Sequence, residues 1–387
     1  MDKIQEILIR GVNEVIDKEN LEQLLRSKKK LRIKLGIDPT SPNIHIGRAV
    51  VLWKLRAFQE LGHKVIFIVG DFTGLIGDTS DKDSERPMME EKIIKQNLKS
   101  YFAQAGKIID KTKAEMHYNS KWLKKLGFAE IGKLADLFGL NEFISRENIA
   151  KRLDAGKRIS LREVLYPLMQ GYDSVAIKAD VELGGTDQRF NLLAGRTIQP
   201  AYGQLPQNIL MTELMEGTDG RKMSSSWGNV INITDEPNDM FGKVMSIKDE
   251  LIKKYFVLAT RIPLNDIDTF LQLKNPRDQK EILASAITEI YHGTEKAKVA
   301  KQNFNNVHRN LGIPNDIEEK SLNPGTYFLS EILFKSGLVS SKSEAKRLLK
   351  QKGIKLNDII ATECEVLLDG TKPKLLQVGK RKFIIVK

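Results

Sequence analysis

Apolar and polar positions follow two periods along this chain. Over residues 1–30 the spacing is that of an amphipathic helix, closing in the charged turn Ser27-Lys28-Lys29-Lys30. Leu31-Arg32-Ile33-Lys34-Leu35-Gly36-Ile37 alternates and predicts a strand. Residues 49–61 predict a helix with Val51, Leu52, Leu55 and Phe58 on its apolar face and Gly62 as its stop. Val65-Ile66-Phe67-Ile68-Val69 is an unbroken apolar run, suited to a strand covered on both faces. Strand, helix, strand in that order predicts a parallel sheet with helices packed on it. A further helix is expected over 90–106. From about 107 to 175 helical spacing dominates and predicts an insertion between two halves of a nucleotide-binding fold. A strand over 175–183 follows, then Gly184-Gly185-Thr186-Asp187-Gln188 and a helix, and the sheet is expected to end near 208–212.

Helical spacing returns from 235 to about 318, where Asn275-Pro276 opens one helix and His292-Gly293 closes it. Asn323-Pro324-Gly325 predicts a linker. Beyond it, Ser341-Lys342-Ser343-Glu344 has the form of a capping box. The helix it opens carries Ala345, Leu348 and Leu349 on one face and Lys346, Arg347 and Lys350 elsewhere, and Gly353 is its expected stop. Residues 378–385 read as a basic hairpin.

At 387 residues the chain can hold two or three domains. One cysteine, Cys364, excludes an intrachain disulfide framework and suits a reducing cytoplasm. The five histidines are scattered, so no structural metal is expected. No apolar run approaches the roughly 20 residues of a membrane span, and the N-terminus lacks a signal-peptide pattern. The net charge of +12 is uneven: the last 62 residues hold 13 Lys/Arg against 6 Asp/Glu, more than half of the excess. Overall charge leaves nucleic-acid binding at even odds, whereas a basic C-terminal module points toward it.

Two stretches carry chemistry. In Gly36-Ile37-Asp38-Pro39-Thr40-Ser41-Pro42-Asn43-Ile44-His45-Ile46-Gly47-Arg48, a strand ends and a helix begins within a few residues. Parallel sheets open a crevice at such strand ends, and a helix start offers unpaired N–H groups to phosphate. His45 and Thr40 add donors, and Gly47 permits close approach. A His-x-Gly triplet alone is more often a packing feature; its strand, turn and helix context changes that. The second stretch, Gly220-Arg221-Lys222-Met223-Ser224-Ser225-Ser226, is a small polar loop carrying a lysine.

Together these resemble the two signatures of class I aminoacyl-tRNA synthetases, with Arg48 in place of a second histidine and Ser225 in place of a second lysine. Residues 70–78, Tyr166-Pro167-Leu168-Met169-Gln170-Gly171-Tyr172-Asp173 and Gly184-Gly185-Thr186-Asp187-Gln188 extend the resemblance over nearly the whole chain, to the bacterial tyrosyl-tRNA synthetase family and its branch with a C-terminal ribosomal-protein-like RNA-binding domain. The resemblance implies an α/β fold in three parts. These are a Rossmann-like parallel-sheet catalytic domain over 1–225 with a helical insertion at about 107–175, a helical anticodon-binding domain over 226–322, and a small α+β RNA-binding domain over 326–387. It implies L-tyrosine, ATP with Mg2+, and tRNA(Tyr) as substrates, and a homodimer in which one tRNA bridges two subunits.

Residue roles follow from the same resemblance. Tyr166, Gln170 and Asp78 match the positions that hold the tyrosine ammonium, Asp173 the acceptor of the phenolic hydroxyl, and Gln188 a neighbour of the substrate carboxylate. Lys34 stands where some members place a tyrosine that also touches the phenol. Gly36, Asp38, His45, Gly47 and Arg48 fall on the nucleotide side with Lys222, Ser224 and Ser225. Asp187 suits the ribose, and Leu214 and Met215 flank adenine or simply pack the core. The tyrosine carboxylate is already ionised, so its attack on the α-phosphorus needs no base. Catalysis then rests on orientation and on stabilising charge at the phosphates, with Thr40, His45, Lys82, Arg86 and Lys222 as candidates. Lys346, Arg347, Lys350, Lys380 and Arg381 are expected to meet RNA backbone. The alternative is a catalytically silent relative that binds RNA. A tryptophan enzyme is disfavoured by Gln170, Asp173 and the basic tail.

Overall fold

The computed structural model describes residues 2–78, 88–308, 317–357, 359–370, 373–379 and 382–387. It divides into two compact units, Met1–Tyr291 and His292–Lys387.

The first unit opens with α1 (Lys3–Ile9), β1 (Val12–Ile16) and α2 (Lys18–Arg26), where one helix was expected. Gly11 and Asp17, both at positive φ, turn the chain into and out of the strand. The expected strand and helix follow as β2 (Arg32–Ile37) and α3 (Ile46–Glu60), and β3 (Lys64–Val69) lies buried on both faces. After α4 (Thr73–Ile76) and α5 (Glu91–Ala105) comes β4 (Ala114–Tyr118). This strand corrects the purely helical expectation for 107–175: it pairs in parallel with β3 at the sheet edge, and its Glu115 and His117 interrupt any apolar run. The helical insertion is therefore α6 (Ser120–Leu123), α7 (Phe128–Asp136), α8 (Leu140–Ile144), α9 (Glu147–Asp154) and α10 (Leu161–Ile177). The strand expected over 175–183 is also displaced. Helix α10 runs to Ile177, ends on Lys178 at φ 51, and β5 spans Val181–Gly185. A left-handed lysine gives no glycine signal for the stop.

A 3-10 turn, Thr186–Gln188, then α11 (Arg189–Ala201) and β6 (Asn208–Thr212) complete the sheet. Its order is β1-β6-β5-β2-β3-β4, with β1 antiparallel and the remaining pairings parallel. Chain order reverses between β2 and β5, where such sheets open a crevice. The helices α12 (Pro237–Met245), α13 (Ile252–Ala259), α14 (Leu264–Leu271) and α15 (Pro276–His292) follow, the last with its proline at the first position as expected. Arg10 spreads its guanidinium over the carbonyls of Phe256, Val257, Thr260 and Ile262, tying the N-terminal segment to the end of α13.

The second unit holds α16 (Thr294–His308), β7 (Glu319–Lys320), β8 (Gly325–Phe328), α17 (Leu329–Lys335), α18 (Lys342–Lys350), β9 (Ile354–Leu356), β10 (Ile359–Ile360), β11 (Glu365–Leu368), β12 (Lys374–Val378) and β13 (Lys382–Val386). The strands form one sheet in the order β10-β9-β12-β13-β7 and a pair β11-β8. The basic hairpin is β12 and β13. The linker reading needs adjustment: β7, ahead of Asn323-Pro324-Gly325, already pairs with β13, and Gly325 begins β8. Only half of the capping box forms. Ser341 accepts from the Glu344 N–H, but the Glu344 carboxylate turns to Ser340. Lys352, at φ 57, rather than Gly353 makes the left-handed turn after α18. Ala345 and Leu349 are buried with Leu329, Leu333, Leu376 and Ile384, leaving Lys346, Arg347 and Lys350 exposed.

Among the described residues no helix is long and apolar enough to cross a membrane.

Candidate active site

A cavity of about 250 Å³ opens at the β2/β5 reversal. It is bounded by the ends of β2 and β5, the start of α3, the inward face of α10, and the loop carrying Lys222. The structure thus gathers Gly36, Asp38, Thr40, His45, Gly47, Arg48, Asp78, Tyr166, Gln170, Asp173, Asp187, Gln188, Leu214, Met215, Lys222, Ser224 and Ser225 around one space.

On the helix-start side His45 is the N-cap of α3, its Nδ1 accepting from the Arg48 N–H at 3.3 Å. That bond places the ring proton on Nε2. Burial first, then the charges of Arg48 and Lys222, push the ring down to about 3, so His45 is a neutral donor. The backbone locks this corner: Ile44 N–H reaches Gln104 Oε1, and Ile46 N–H reaches the carbonyl of Ile231. Gly47 has a packing role beside nucleotide approach, since a Cβ there would lie 3.1 Å from His45 Nδ1 and 3.3 Å from Met223 Sδ. A Cβ on Gly36 would meet no protein atom within 4 Å and would project into ligand space. Arg48 donates to Thr40 Oγ1 at 3.0 Å and to Tyr101 Oη at 2.8 Å, so its guanidinium braces the Pro39–Thr40 turn against α5.

The slot side is built around carboxylates. Asp38 accepts from Thr73 Oγ1 at 2.7 Å and Tyr166 Oη at 2.8 Å. Gly70 makes this possible, because a Cβ there would fall 2.0 Å from Asp38 Oδ1. Burial and then Asp38 raise the Tyr166 phenol well above its usual range, keeping it a donor. Gln188 donates to Asp78 at 2.7 Å, and Asn191 donates to Gln188 at 3.0 Å. Asp173 is buried, with Oδ1 accepting from Trp122 Nε1 at 2.6 Å and Oδ2 from Asn119 Nδ2 at 3.2 Å. Burial lifts its carboxyl to about 7 against the opposing pull of Lys34, Trp122 and Asn119. Across the cavity Lys222 Nζ lies 2.6 Å from Asp187 Oδ2.

One expectation changes. Lys34 is fully buried and does not line the cavity. Its ammonium is 2.9 Å from Glu182 Oε1 and donates to the Gln170 carbonyl and Ser174 Oγ, so its three donors are already engaged away from the cavity. Lys82, Arg86, Lys380 and Arg381 lie outside the described residues. Sequence reasoning missed Asn119, Trp122, Tyr101 and Glu182. The first two sit in a stretch read only as helical insertion, and Tyr101 reads as one more apolar position of α5.

A helix start over a reversed parallel sheet, beside a slot that holds the buried carboxyl of Asp173, is the arrangement expected of a nucleotide-dependent enzyme acting on a small molecule. A family model described as tRNA synthetases class I (W and Y) matches residues 26–309, and one described as S4 domain matches residues 329–365. Proteins named tyrosine–tRNA ligase from Carboxydothermus hydrogenoformans and Thermotoga maritima are each 45% identical to this chain, over 98% and 97% of it and 96% and 95% of their own lengths. That of Shewanella oneidensis is 43% identical over 99% of this chain and 98% of its own. Among solved structures, tyrosyl-tRNA synthetase complexed with L-tyrosine from Archaeoglobus fulgidus shares the fold with a TM-score of 0.62 at 23% identity, covering 77% of this chain and 98% of that one. A truncated mitochondrial tyrosyl-tRNA synthetase from Aspergillus nidulans gives 0.67 at 20%, covering 80% and 94%. The chain belongs to the class I tRNA synthetase family, in its tryptophan and tyrosine branch, and carries an S4 domain at its C-terminus.

Proposed function

We propose that this cavity activates L-tyrosine with ATP and passes the tyrosyl group to the terminal ribose of tRNA(Tyr). The chain acts as a tyrosine–tRNA ligase of class I; its family and its near-full-length relatives support that activity. The observation that carries the residue assignments is the buried Asp173 carboxylate sharing one cavity with His45, Gly47 and Asp187.

Tyrosine enters with its hydroxyl toward Asp173 and its ammonium toward Gln170, Tyr166 and Asp78, with Gln188 beside its carboxylate. ATP lies over Gly36, Asp38 and Gly47, its adenine at Leu214 and Met215 and its ribose at Asp187. A carboxylate oxygen of tyrosine attacks the α-phosphorus, the bond to the β-phosphate oxygen breaks, and pyrophosphate leaves. Thr40, the His45 N–H and Lys222 then stabilise charge growing on the phosphates, with Arg48 and Ser224 as further donors. Lys82 and Arg86 are proposed to join them. Lys222 must leave Asp187 to do this, which makes room for the ribose on that carboxylate. Magnesium accompanies the nucleotide phosphates; among the described residues no group of three or more His, Cys, Asp or Glu side chains is placed to hold a metal ion. A hydroxyl of the tRNA's terminal ribose then attacks the tyrosyl carbonyl carbon and releases AMP.

The domain roles follow: catalysis over 1–225, anticodon recognition over 226–322 and RNA backbone contact over 326–387 through Lys346, Arg347, Lys350, Lys380 and Arg381. The working form is a cytoplasmic homodimer. Phe128 is 92% exposed, and Leu140, Ile144, Leu161 and Leu165 are also exposed on the same insertion, an amount of open apolar surface that suits an interface. Sedimentation should give twice the chain mass of 43.8 kDa, and a monomer at micromolar concentration would remove that assignment.

Amino-acid-dependent ATP–pyrophosphate exchange tests the whole reading. Exchange with tyrosine, and not with phenylalanine or tryptophan, is expected. No exchange from folded protein would leave an RNA-binding relative without activity. In the same assay Ser225→Lys should raise the exchange rate several-fold, because a second loop cation adds a charge-assisted contact to the phosphates. An unchanged rate would mean that other cations already supply that charge.

A further inference from the structure

β2 and β5 pair only through Ile33 with Val181 and Lys34 with Glu182. Beyond that second pair the strands part, and Gly36 and Gly184, two residues further along the same faces, line the cavity. The side chains of Lys34 and Glu182 are 0% and 1% exposed, directly beneath the opening. Lys34 Nζ lies 2.9 Å from Glu182 Oε1 and donates to the Gln170 carbonyl at 2.7 Å and to Ser174 Oγ at 2.8 Å. Glu182 also accepts from Gln170 Nε2 at 3.1 Å, Ser174 Oγ at 3.0 Å and Gln207 Nε2 at 2.5 Å. Of these five residues, Gln170 alone lines the cavity.

A buried ion pair is a poor device for stability alone, because apolar residues of similar volume often serve as well or better. Its geometry points to another use. An amide has a donating end and an accepting end, and an ionised carboxylate can only accept. Glu182 therefore takes the nitrogen of Gln170 and leaves the carbonyl oxygen for the cavity. Lys34 neutralises Glu182 and grips the Gln170 backbone carbonyl, so both the polarity and the position of that amide are fixed from below.

We propose that the Lys34–Glu182 pair is a positioning device that sets the polarity of Gln170 and thereby the recognition of the substrate's α-ammonium. The inference rests on the tyrosine slot proposed above. Lys34 acts through Gln170, without touching the phenol.

The test is the full-length double variant Lys34→Met/Glu182→Gln, which is neutral and close in shape. In it, the amide at 182 can donate to Gln170 and turn its nitrogen toward the cavity. Two probes compete in the exchange assay: tyrosinol, which keeps the ammonium and lacks the carboxylate, and 3-(4-hydroxyphenyl)propanoate, which is the reverse. The KM for tyrosine and the inhibition constant of tyrosinol should each rise tenfold or more. The constant for the propanoate and the KM for ATP should stay within about twofold. Equal weakening of both probes would mean general loosening and overturn the proposal, as would unchanged tyrosinol affinity in folded protein. Should the double variant fail to fold, Glu182→Gln alone is expected to give the same split, with Lys34 keeping its two neutral acceptors. Wild-type protein that neither exchanges with tyrosine nor binds either probe would instead bring down the slot reading, and this inference with it.

Discussion

Asp173→Asn should lower kcat/KM for tyrosine by about 100-fold or more and leave the KM for ATP within about twofold. Both oxygens of Asp173 already accept one bond, from Trp122 and from Asn119, and both retain a second lone pair. An asparagine keeps one accepting end only. Its NH2 must then face either Trp122 Nε1 or Asn119 Nδ2, a donor against a donor, and the incoming phenol loses an ionised acceptor. Losing a hydrogen bond to a charged acceptor costs about 1.5–3 kcal/mol, and a stranded buried donor about 1–3 kcal/mol more, where each 1.4 kcal/mol is a factor of ten. The pH dependence follows from the same site. Burial places the carboxyl at about 7, so it loses its charge as pH falls through neutrality. The KM for tyrosine should rise from pH 8 to pH 6 with no matching change for ATP, and Asp173→Asn should flatten that dependence. The linked effect on the unliganded fold has the opposite sense. A carboxyl raised above its unfolded value holds its proton more tightly when folded, so its contribution to stability is full below the unfolded value of about 4 and is lost as pH rises through about 7. An unchanged kcat/KM in folded Asp173→Asn protein would remove Asp173 from the slot.

The parallel half of the fold was legible because α3 keeps one apolar face along its length and β3 is buried from Val65 to Val69, so their spacing reports them directly. The misread elements have mixed environments. β1 and β4 are edge strands, half-buried along their length, and carry too few consecutive apolar residues to stand out. The end of α10 turns on Lys178, a residue type that seldom takes a left-handed backbone. In the site, motif residues that share a strand end or a helix start could be grouped from sequence, since chain geometry alone keeps Gly36 near Asp38 and His45 near Gly47. Partners from distant segments were not legible. Trp122 and Asn119 reach Asp173 across about 50 positions. Lys34 met its partner on β5 only because two strands far apart in sequence lie in register. A buried lysine in an alternating strand looks like a solvent-facing residue until its carboxylate is found. The sequence departure at 48 also resolves into a physical role. The guanidinium bridges Thr40 and Tyr101, a longer reach than an imidazole has, and so keeps Thr40 fixed beside the nucleotide side of the cavity.

His45→Ala should lower kcat for adenylate formation by about 100-fold with the KM for tyrosine nearly unchanged. The ring is neutral over the physiological range, because burial and two neighbouring cations hold it at about 3. Its Nδ1 is committed to the Arg48 N–H, so its contribution to the reaction is a single Nε2–H donor fixed beside the nucleotide side of the cavity. A preorganised donor aimed at developing charge is worth about 10²–10³ in kcat. Being neutral, it should add no pH dependence between 6 and 8, in contrast to Asp173. The substitution also removes the side-chain cap of α3, which costs about 1 kcal/mol of stability. His45→Asn separates the two roles. Asparagine is a favoured N-cap and restores the bond to the Arg48 N–H, yet its shorter side chain cannot carry a donor to the position of Nε2. Thermal unfolding of His45→Asn should therefore match wild type while its kcat stays close to that of His45→Ala. If stability and kcat recover together, the histidine works by holding the helix start in place; if only stability recovers, it works by donating to the phosphates.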